Sequence, residues 1–194
     1  MKRHLRIPLF LLISLLNSLA SYASNEMSFH QLGVKTGMSD NYIQAIERDK
    51  YGFMWFATRD GLNRYDGYHF KTYTTLRQGA YNNSVEWVAE DAAGNIWIKT
   101  PVNYCFYDRE MDELDNRTEL LLHKIGIFES PRQLFIDDDK NLWCVADNTL
   151  YYYIFSDETL YKQSLPGSVN IADMACRNKR CYILMTDGNV INID

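Results

Sequence analysis

The sequence contains few of the residues on which most enzyme chemistry depends. Among 194 residues there are four histidines, four cysteines, four prolines and ten glycines. His30, His69 and His123 are far apart in the sequence, and none of them has the spacing of a metal ligand to another histidine or to a cysteine. Zinc sites and histidine-based catalysis need such groups close together. No glycine-rich phosphate loop, nucleophile-elbow serine or kinase motif is present. We therefore expect no catalytic residue, no metal and no cofactor in this chain.

Positive charge is also scarce, since 20 Lys and Arg face 25 Asp and Glu for a formal charge of −5. A protein that binds nucleic acid through phosphates needs a basic surface, so we expect no nucleic acid contact. The composition, 46% hydrophobic and 14% aromatic, is that of a globular protein.

One long apolar run stands at the N-terminus. Lys2 and Arg3 precede the apolar residues 7–16, and Ser21-Tyr22-Ala23 places small residues at −3 and −1. This pattern predicts a secretory signal peptide over residues 1–23, with residues 24–194 exported. The alternative is an uncleaved anchor, but the run is shorter than the ~20 residues of a spanning helix.

An internal repeat predicts the architecture. Asp49–Trp55 recurs as Asp91–Trp97 and Asp137–Trp143, and in eroded form as Cys176–Tyr182, with offsets of 42, 46 and 39 residues. These offsets are close to the roughly 40–50 residues of one propeller blade. We expect an all-β fold of four-stranded antiparallel blades in a partial β-propeller over residues 24–194. Its units are expected at about 34–75, 84–122, 131–165 and 169–194.

Each unit resembles a meander of short strands. An apolar strand precedes the aspartate, a strand centred on the aromatic follows the turn, and a tyrosine stands ten residues beyond each tryptophan. The expected strands are Tyr42–Ile46, Val85–Ala89 and Gln133–Ile136 before the turns, Met54–Ala57 and Ile96–Ile98 after them, and Tyr68–Tyr73 at the outer edge of the first unit.

The repeated residues are expected to hold the fold. The aspartate can accept hydrogen bonds from backbone N–H groups of the turn, glycine three residues later supplies a positive φ, and the tryptophan fills the wedge between blades. In the third copy Lys140 replaces the glycine. The structural residues so assigned are Asp49, Gly52, Trp55, Asp91, Gly94, Trp97, Asp137 and Trp143.

The cysteines of the fourth copy suggest a cross-link. Cys176 and Cys181 flank Arg177–Arg180 and would face each other across a hairpin, so we hypothesise a disulfide between them, although only some cross-strand pairs have suitable geometry. Cys105 and Cys144 are expected to be small buried apolar residues.

The segment from Ser39-Asp40-Asn41-Tyr42 to Arg64-Tyr65-Asp66-Gly67 resembles a known family. It is similar to the two-component-regulator propeller repeats in the periplasmic N-terminus of hybrid two-component sensors of Bacteroidetes. Ala57 and Lys99 depart from the family pattern, which favours glycine there. The resemblance implies an incomplete seven-bladed propeller that senses glycan fragments in the periplasm, in a protein anchored to the membrane by downstream segments.

That resemblance also implies a homodimer and a non-catalytic chain. A secreted propeller enzyme acting on polysaccharide and a surface adhesion propeller are the alternatives. Residues 28–32 resemble the strand that completes the last blade of closed propellers. With the later blades of a seven-bladed propeller missing, this strand could complete the fourth unit and close a four-bladed ring.

Few side chains stand out as ligand contacts. Arg59 and Arg64 could reach an anionic sugar, and Tyr151 and Tyr152 could stack on sugar rings, although alternation along a strand buries half of such residues. Asp137–Asp139 lacks the remaining spacing of a calcium loop. The other acids give no reason to select a catalytic pair.

Overall fold

The computed structural model describes residues 29–74, 83–166, 170–177 and 180–193. This part of the chain forms fifteen strands in four antiparallel sheets. It also contains one short helix, α1 (Glu119–Leu122), and 3₁₀ turns at Val34–Thr36 and His123–Ile125. The signal peptide predicted over residues 1–23 lies outside these ranges. Within them no helix is long and apolar enough to cross a membrane.

The strands of each sheet follow one another in sequence, so each sheet is a meander, which we call a blade. Blades 1 to 3 have four strands, and blade 4 has three among its described residues. Blade 1 contains β1 (Ile43–Arg48), β2 (Met54–Thr58), β3 (Gly61–Tyr65) and β4 (Phe70–Tyr73). Blade 2 contains β5 (Trp87–Glu90), β6 (Ile96–Lys99), β7 (Tyr104–Asp108) and β8 (Glu113–Asp115). Blade 3 contains β9 (Pro131–Ile136), β10 (Leu142–Ala146), β11 (Thr149–Ile154) and β12 (Thr159–Ser164). Blade 4 contains β13 (Ile171–Arg177), β14 (Arg180–Met185) and β15 (Val190–Ile193).

The blades pack face to face through three apolar cores, one at each interface. Each core contains the repeat tryptophan of the preceding blade, and Trp55, Trp97 and Trp143 are each at most 3% exposed. Burial of such large aromatic surfaces supplies most of the energy that holds the blades together. The prediction of an all-β propeller of antiparallel blades is confirmed.

Several strand boundaries differ from the sequence expectation by one or two residues, and two of the differences have an identifiable reason. β5 starts at Trp87 instead of Val85, because the backbone N–H of Val85 donates to the carbonyl oxygen of Thr58 in blade 1 at 2.9 Å. The loop expected at Arg177–Arg180 is also shorter, since Arg177 and Arg180 belong to β13 and β14. Without an Asp-Gly turn, the blade 4 hairpin extends its strand pairing further toward the loop.

The strand expected at residues 28–32 is not formed by Phe29–Leu32, and Ser28 lies outside the described residues. Phe29–Leu32 belongs to none of the four described sheets.

Candidate functional site

The first three turns share one hydrogen-bonded arrangement, which we call the aspartate clamp. The Nε1–H of Trp55 donates to Oδ2 of Asp49 at 3.0 Å, and the same bond measures 2.8 Å at Trp97–Asp91. In the third turn Trp143 donates to Asp137 at 2.9 Å. The other carboxylate oxygen accepts backbone N–H groups of the turn, for example from Phe53 at 3.0 Å. A buried hydrogen bond to a charged group contributes about 1.5–3 kcal/mol, so each clamp ties its turn to an interface core.

The third position after each aspartate has a positive φ. Gly52 and Gly94 have φ of 90° and 91°, where glycine carries no steric penalty, whereas Lys140 has φ of 61° and bears the strain of a left-handed residue. At Gly94 a Cβ atom would also overlap the side chain of Lys50, which passes over it to donate to the carbonyl oxygen of Ala93 at 2.8 Å.

The residue after each turn aspartate contacts the next blade, and we call it the linking position. The N–H of Lys50 donates to both oxygens of Glu90 at 3.0 and 3.1 Å. The N–H of Ala92 donates to the carbonyl oxygen of Lys140 at 2.9 Å, and Asp138 pairs with Arg177 at 3.0 Å. The turns of successive blades are therefore connected in one direction along the chain.

A buried carboxylate lies at the centre of these connections. Glu90 is 2% exposed and accepts from Nζ of Lys140 at 2.7 Å, with Arg109 at 3.8 Å. Lys140 also reaches Glu47 in blade 1 at 3.3 Å, so its ammonium joins three blades. Partial burial lowers the pKa of Lys140, but the carboxylates of Glu90 and Glu47 outweigh that effect and raise it.

A cleft of about 460 Å³ lies beside these charges, with Arg48, Lys50, Glu90 and Lys140 among its lining residues. Of these four residues, Lys50, Glu90 and Lys140 already form hydrogen bonds or ion pairs between blades. The arrangement therefore serves to connect blades, and it leaves little unsatisfied charge for a ligand.

A second polar cluster joins blades 1 and 2 around Asp112, which we call the Asp112 hub. Its carboxylate accepts from the hydroxyl groups of Tyr73 and Tyr107, both at 2.6 Å, and from Arg64 at 3.3 Å. Lys71 donates to its other oxygen. All these donors except Tyr107 come from blade 1, so Asp112 connects the outer parts of the two blades.

The hub fixes the charge state of its carboxyl group. Partial burial raises the pKa of Asp112, but the hydrogen bonds from Lys71, Tyr107 and Tyr73 and the charge of Arg64 outweigh it, and the pKa lies well below 3.8. Burial and the bond to Asp112 raise the pKa of Tyr73. The aspartate is therefore ionised, and the tyrosine neutral, at any physiological pH.

Three of the four predicted ligand contacts are engaged within the protein. Arg64 lies in the hub, with its guanidinium carbon 4.8 Å from the ring centre of Phe53. Tyr151 is buried and donates to Glu129 at 2.9 Å. Arg59 stacks 3.6 Å above the exposed ring of Tyr42.

Tyr152 lines an open cleft between blades 3 and 4, which we call the aromatic cleft. Its ring lies between those of Trp143 and Tyr161, with centroid distances of 3.9 and 6.1 Å. The three residues are register partners on β10, β11 and β12, so their rings form a column across the blade. The cleft encloses about 380 Å³ and is lined by Trp143, Leu150, Tyr152, Ile154, Tyr161, Lys162, Gln163 and Ile193.

The chemistry of the aromatic cleft is that of a stacking platform with a polar rim. Tyr161 is 55% exposed, so one ring of the column is open to solvent. Gln163 supplies a polar side chain on the adjacent edge, whereas the Lys162 ammonium lies on the other face of the blade, 5.4 Å from the ring centre of Tyr151. Among the described residues, no group of three His, Cys, Asp or Glu side chains is placed to hold a metal ion.

Several of these residues carry no clear signal in the sequence. Asp112 and Arg109 stand outside the repeated Asp-to-Trp segment, and their partners in blade 1 lie 39 to 60 residues away. Tyr161 could have been found from its register with Tyr152. Glu90 was marked only weakly in the sequence, as an acidic residue directly before the repeated aspartate Asp91.

Comparison with known proteins agrees with the repeat. Residues 37–60 match the family model of the two component regulator propeller. Histidine kinase P4 of Formosa agariphila is 51% identical over 37 residues, which are 19% of this chain and 3% of that protein. The chain therefore spans a small part of that relative.

Two solved structures are similar to this chain at low sequence identity and with TM-scores below 0.5. The extracellular domain of a hybrid two component system protein of B. thetaiotaomicron is 18% identical, with a TM-score of 0.46 over 86% of this chain and 30% of its own. Virginiamycin B lyase of Staphylococcus aureus is 13% identical, with a TM-score of 0.46 over 81% of this chain and 57% of its own. The resemblance seen in the sequence is confirmed: this chain carries a two component regulator propeller repeat at residues 37–60.

Proposed function

We propose that this chain is the extracytoplasmic sensor propeller of a hybrid two-component regulator and that it binds glycan fragments in the periplasm. The match of residues 37–60 to the regulator propeller family and the histidine kinase relative support the sensor role. The chain itself would bind without catalysing a reaction. The histidine kinase activity, the membrane anchor and dimerisation would reside in, or depend on, the rest of the regulator.

The aromatic cleft is the observation that carries the glycan part of this proposal. The apolar face of a pyranose ring can pack on an exposed tyrosine ring, while polar side chains at the edge bind the hydroxyl groups. Tyr161 offers such a ring above Tyr152, and Gln163 lines the same cleft with its amide.

Because the cleft lies between two blades, a ligand bound in it can change how those blades pack. A ligand that contacts blade 3 and blade 4 together stabilises their closed packing, and it shifts the population of any arrangement that differs at this interface. The sensor would thereby convert binding into a change in the packing of its blades.

The test is calorimetric titration of the purified exported chain with neutral and uronate oligosaccharides. Binding of a neutral oligosaccharide is expected, and Tyr161→Ala should weaken it at least about tenfold through loss of the stacking surface. Tyr182→Ala is the matched control, because Tyr182 is 45% exposed in blade 4 and does not line the cleft. Turnover of the oligosaccharide would favour an enzyme. Equal affinity of wild type and Tyr161→Ala would contradict the proposed site.

A further inference from the structure

Blade 4 lacks the aspartate clamp, and two cysteines stand in its place. In the sequence Cys176 aligns with the turn aspartate and Tyr182 with the tryptophan, but the Tyr182 ring is 45% exposed and does not fill the tryptophan's place in the core. In the structure Cys176 and Cys181 are direct partners in the antiparallel pairing of β13 with β14. Their Cβ atoms therefore leave the sheet on the same side, at the short separation of a cross-strand pair.

Both thiols point into the core between blades 3 and 4. Cys176 is 5% exposed and Cys181 is fully buried, and they belong to the same apolar cluster as Trp143. Burial raises the pKa of the Cys176 thiol, and the hydrogen bond between the two sulfur atoms raises it further. A thiol that is both buried and neutral reacts slowly, so oxidation must precede the docking of blade 4 onto blade 3.

We propose that Cys176 and Cys181 form a disulfide that replaces the aspartate clamp in blade 4. The inference rests on export of the chain, which is part of the proposed function, because disulfides persist outside the cytoplasm. It assigns the bond a structural role. Once blade 4 has docked, the bond is shielded from reductants by blade 3.

The reaction is thiol–disulfide exchange with an oxidised dithiol oxidoreductase of the exporting compartment. The thiolate of one cysteine attacks a sulfur of the oxidant and forms a mixed disulfide. The second thiolate then attacks the sulfur of its neighbour and expels the oxidant as a dithiol. One S–S bond forms and one breaks, and two protons and two electrons pass from the cysteines to the oxidant.

The sequence between the cysteines makes the bond easy to detect. Arg177, Lys179 and Arg180 lie between them, so trypsin separates the two cysteines into different peptides. The full chain is expressed with its own leader in a Gram-negative host, recovered from the periplasm, alkylated under denaturing conditions and digested without reduction. Mass spectrometry is expected to find the two peptides joined, with Cys105 and Cys144 alkylated.

Recovery of Cys176 and Cys181 as separate alkylated peptides from periplasmic protein would overturn the disulfide. The same holds for a bond from either of them to Cys105 or Cys144. If the chain is retained in the cytoplasm, export is contradicted instead. Refolding the retained chain with glutathione disulfide then tests the pairing by the same digestion.

A stability measurement distinguishes a structural bond from an incidental one. A reductant should lower the unfolding temperature of the wild type by several degrees when it is present during unfolding. It should leave that of Cys176→Ala/Cys181→Ala unchanged. Cys144→Ala is the matched control, since it removes a buried thiol elsewhere and should keep the response to reductant. If the unfolding temperature of the wild type did not change with reductant, the structural role of the bond would be contradicted.

Discussion

Asp112 illustrates how one side chain can stabilise a blade interface in a pH-dependent way. Its pKa in the folded protein lies below the ordinary value of 3.8 because Lys71, Tyr107, Tyr73 and Arg64 favour the ionised form. The unfolded chain therefore takes up the proton first as the pH falls. The stabilisation is fully present above pH 3.8 and is lost progressively below it.

We expect Asp112→Asn to lower the unfolding temperature near neutral pH, because the amide removes the negative charge from the hub. Asparagine tolerates the positive φ of 52° at this position, so backbone strain does not obscure the comparison. The difference from wild type should shrink as the pH falls below 3.8. Thermal unfolding followed by circular dichroism across this range provides the measurement. Glu110→Gln, in the same turn, should change little, and a difference independent of pH would count against the hub.

Lys140 combines a strained backbone with a bridging charge, and two substitutions separate these effects. Lys140→Ala removes the contacts to Glu90 and Glu47 and retains the left-handed strain. We expect it to cost about 1–2 kcal/mol of unfolding free energy, because Glu90 stays buried with fewer partners.

Lys140→Gly removes the same contacts and also relieves the strain at φ of 61°. The glycine variant should therefore be about 1 kcal/mol more stable than the alanine variant. Urea unfolding of both variants measures the difference. A glycine variant no more stable than the alanine variant would show that the left-handed backbone at this position carries no cost.

At the scale of the strand, the order within each blade sets how strongly backbone amides are protected. β10 is buried along its whole length and pairs on both sides, whereas β12 pairs on one side and exposes most of its residues. Amides of Leu142–Ala146 should therefore exchange at least about tenfold more slowly than those of Thr159–Ser164. Hydrogen–deuterium exchange with peptide-level mass spectrometry measures both segments in one experiment. Equal rates would mean that blade 3 opens as a single unit.

The strands were predictable from the sequence because their causes are local and repeated. The turn aspartate, its glycine and the tryptophan lie within seven residues, so the pattern recurs wherever the same hairpin forms. The boundary of β5 was not predictable, since it depends on a bond from Val85 to Thr58 in another blade.

The candidate site was predictable only in part, for the same reason. Tyr152 was marked by its place in an aromatic run, but its stacking partner Tyr161 belongs to another strand. Arg64 was selected for its charge, and the partner that engages it, Asp112, is 48 residues away. Contacts between blades follow the packing of whole sheets, which local patterns do not specify.

At the scale of the molecule, blade 4 presents an apolar face to solvent. Tyr182, Leu184 and Val190 are 45%, 40% and 60% exposed, on the side of the sheet opposite the buried Cys181 and Ile183. An exposed apolar sheet face promotes association. We expect the purified chain to self-associate as its concentration rises, and Leu184→Lys to reduce this association.

Sedimentation velocity over a concentration series measures the effect. Leu120→Lys is the control, because Leu120 is 44% exposed on α1, away from this face. Association that is unchanged by Leu184→Lys but reduced by the control would place the contact on the helix instead.

The linking positions determine how further blades can be added to such a chain. Lys50, Ala92 and Asp138 each contact the following blade, so every interface joins unlike surfaces in a head-to-tail manner. Interfaces of this kind have no two-fold axis, and they can be repeated without limit until rotation brings the first and last units together. Tandem duplication of a gene segment encoding one blade would therefore reproduce a working interface, and the angle between neighbouring blades would decide how many copies complete a circle.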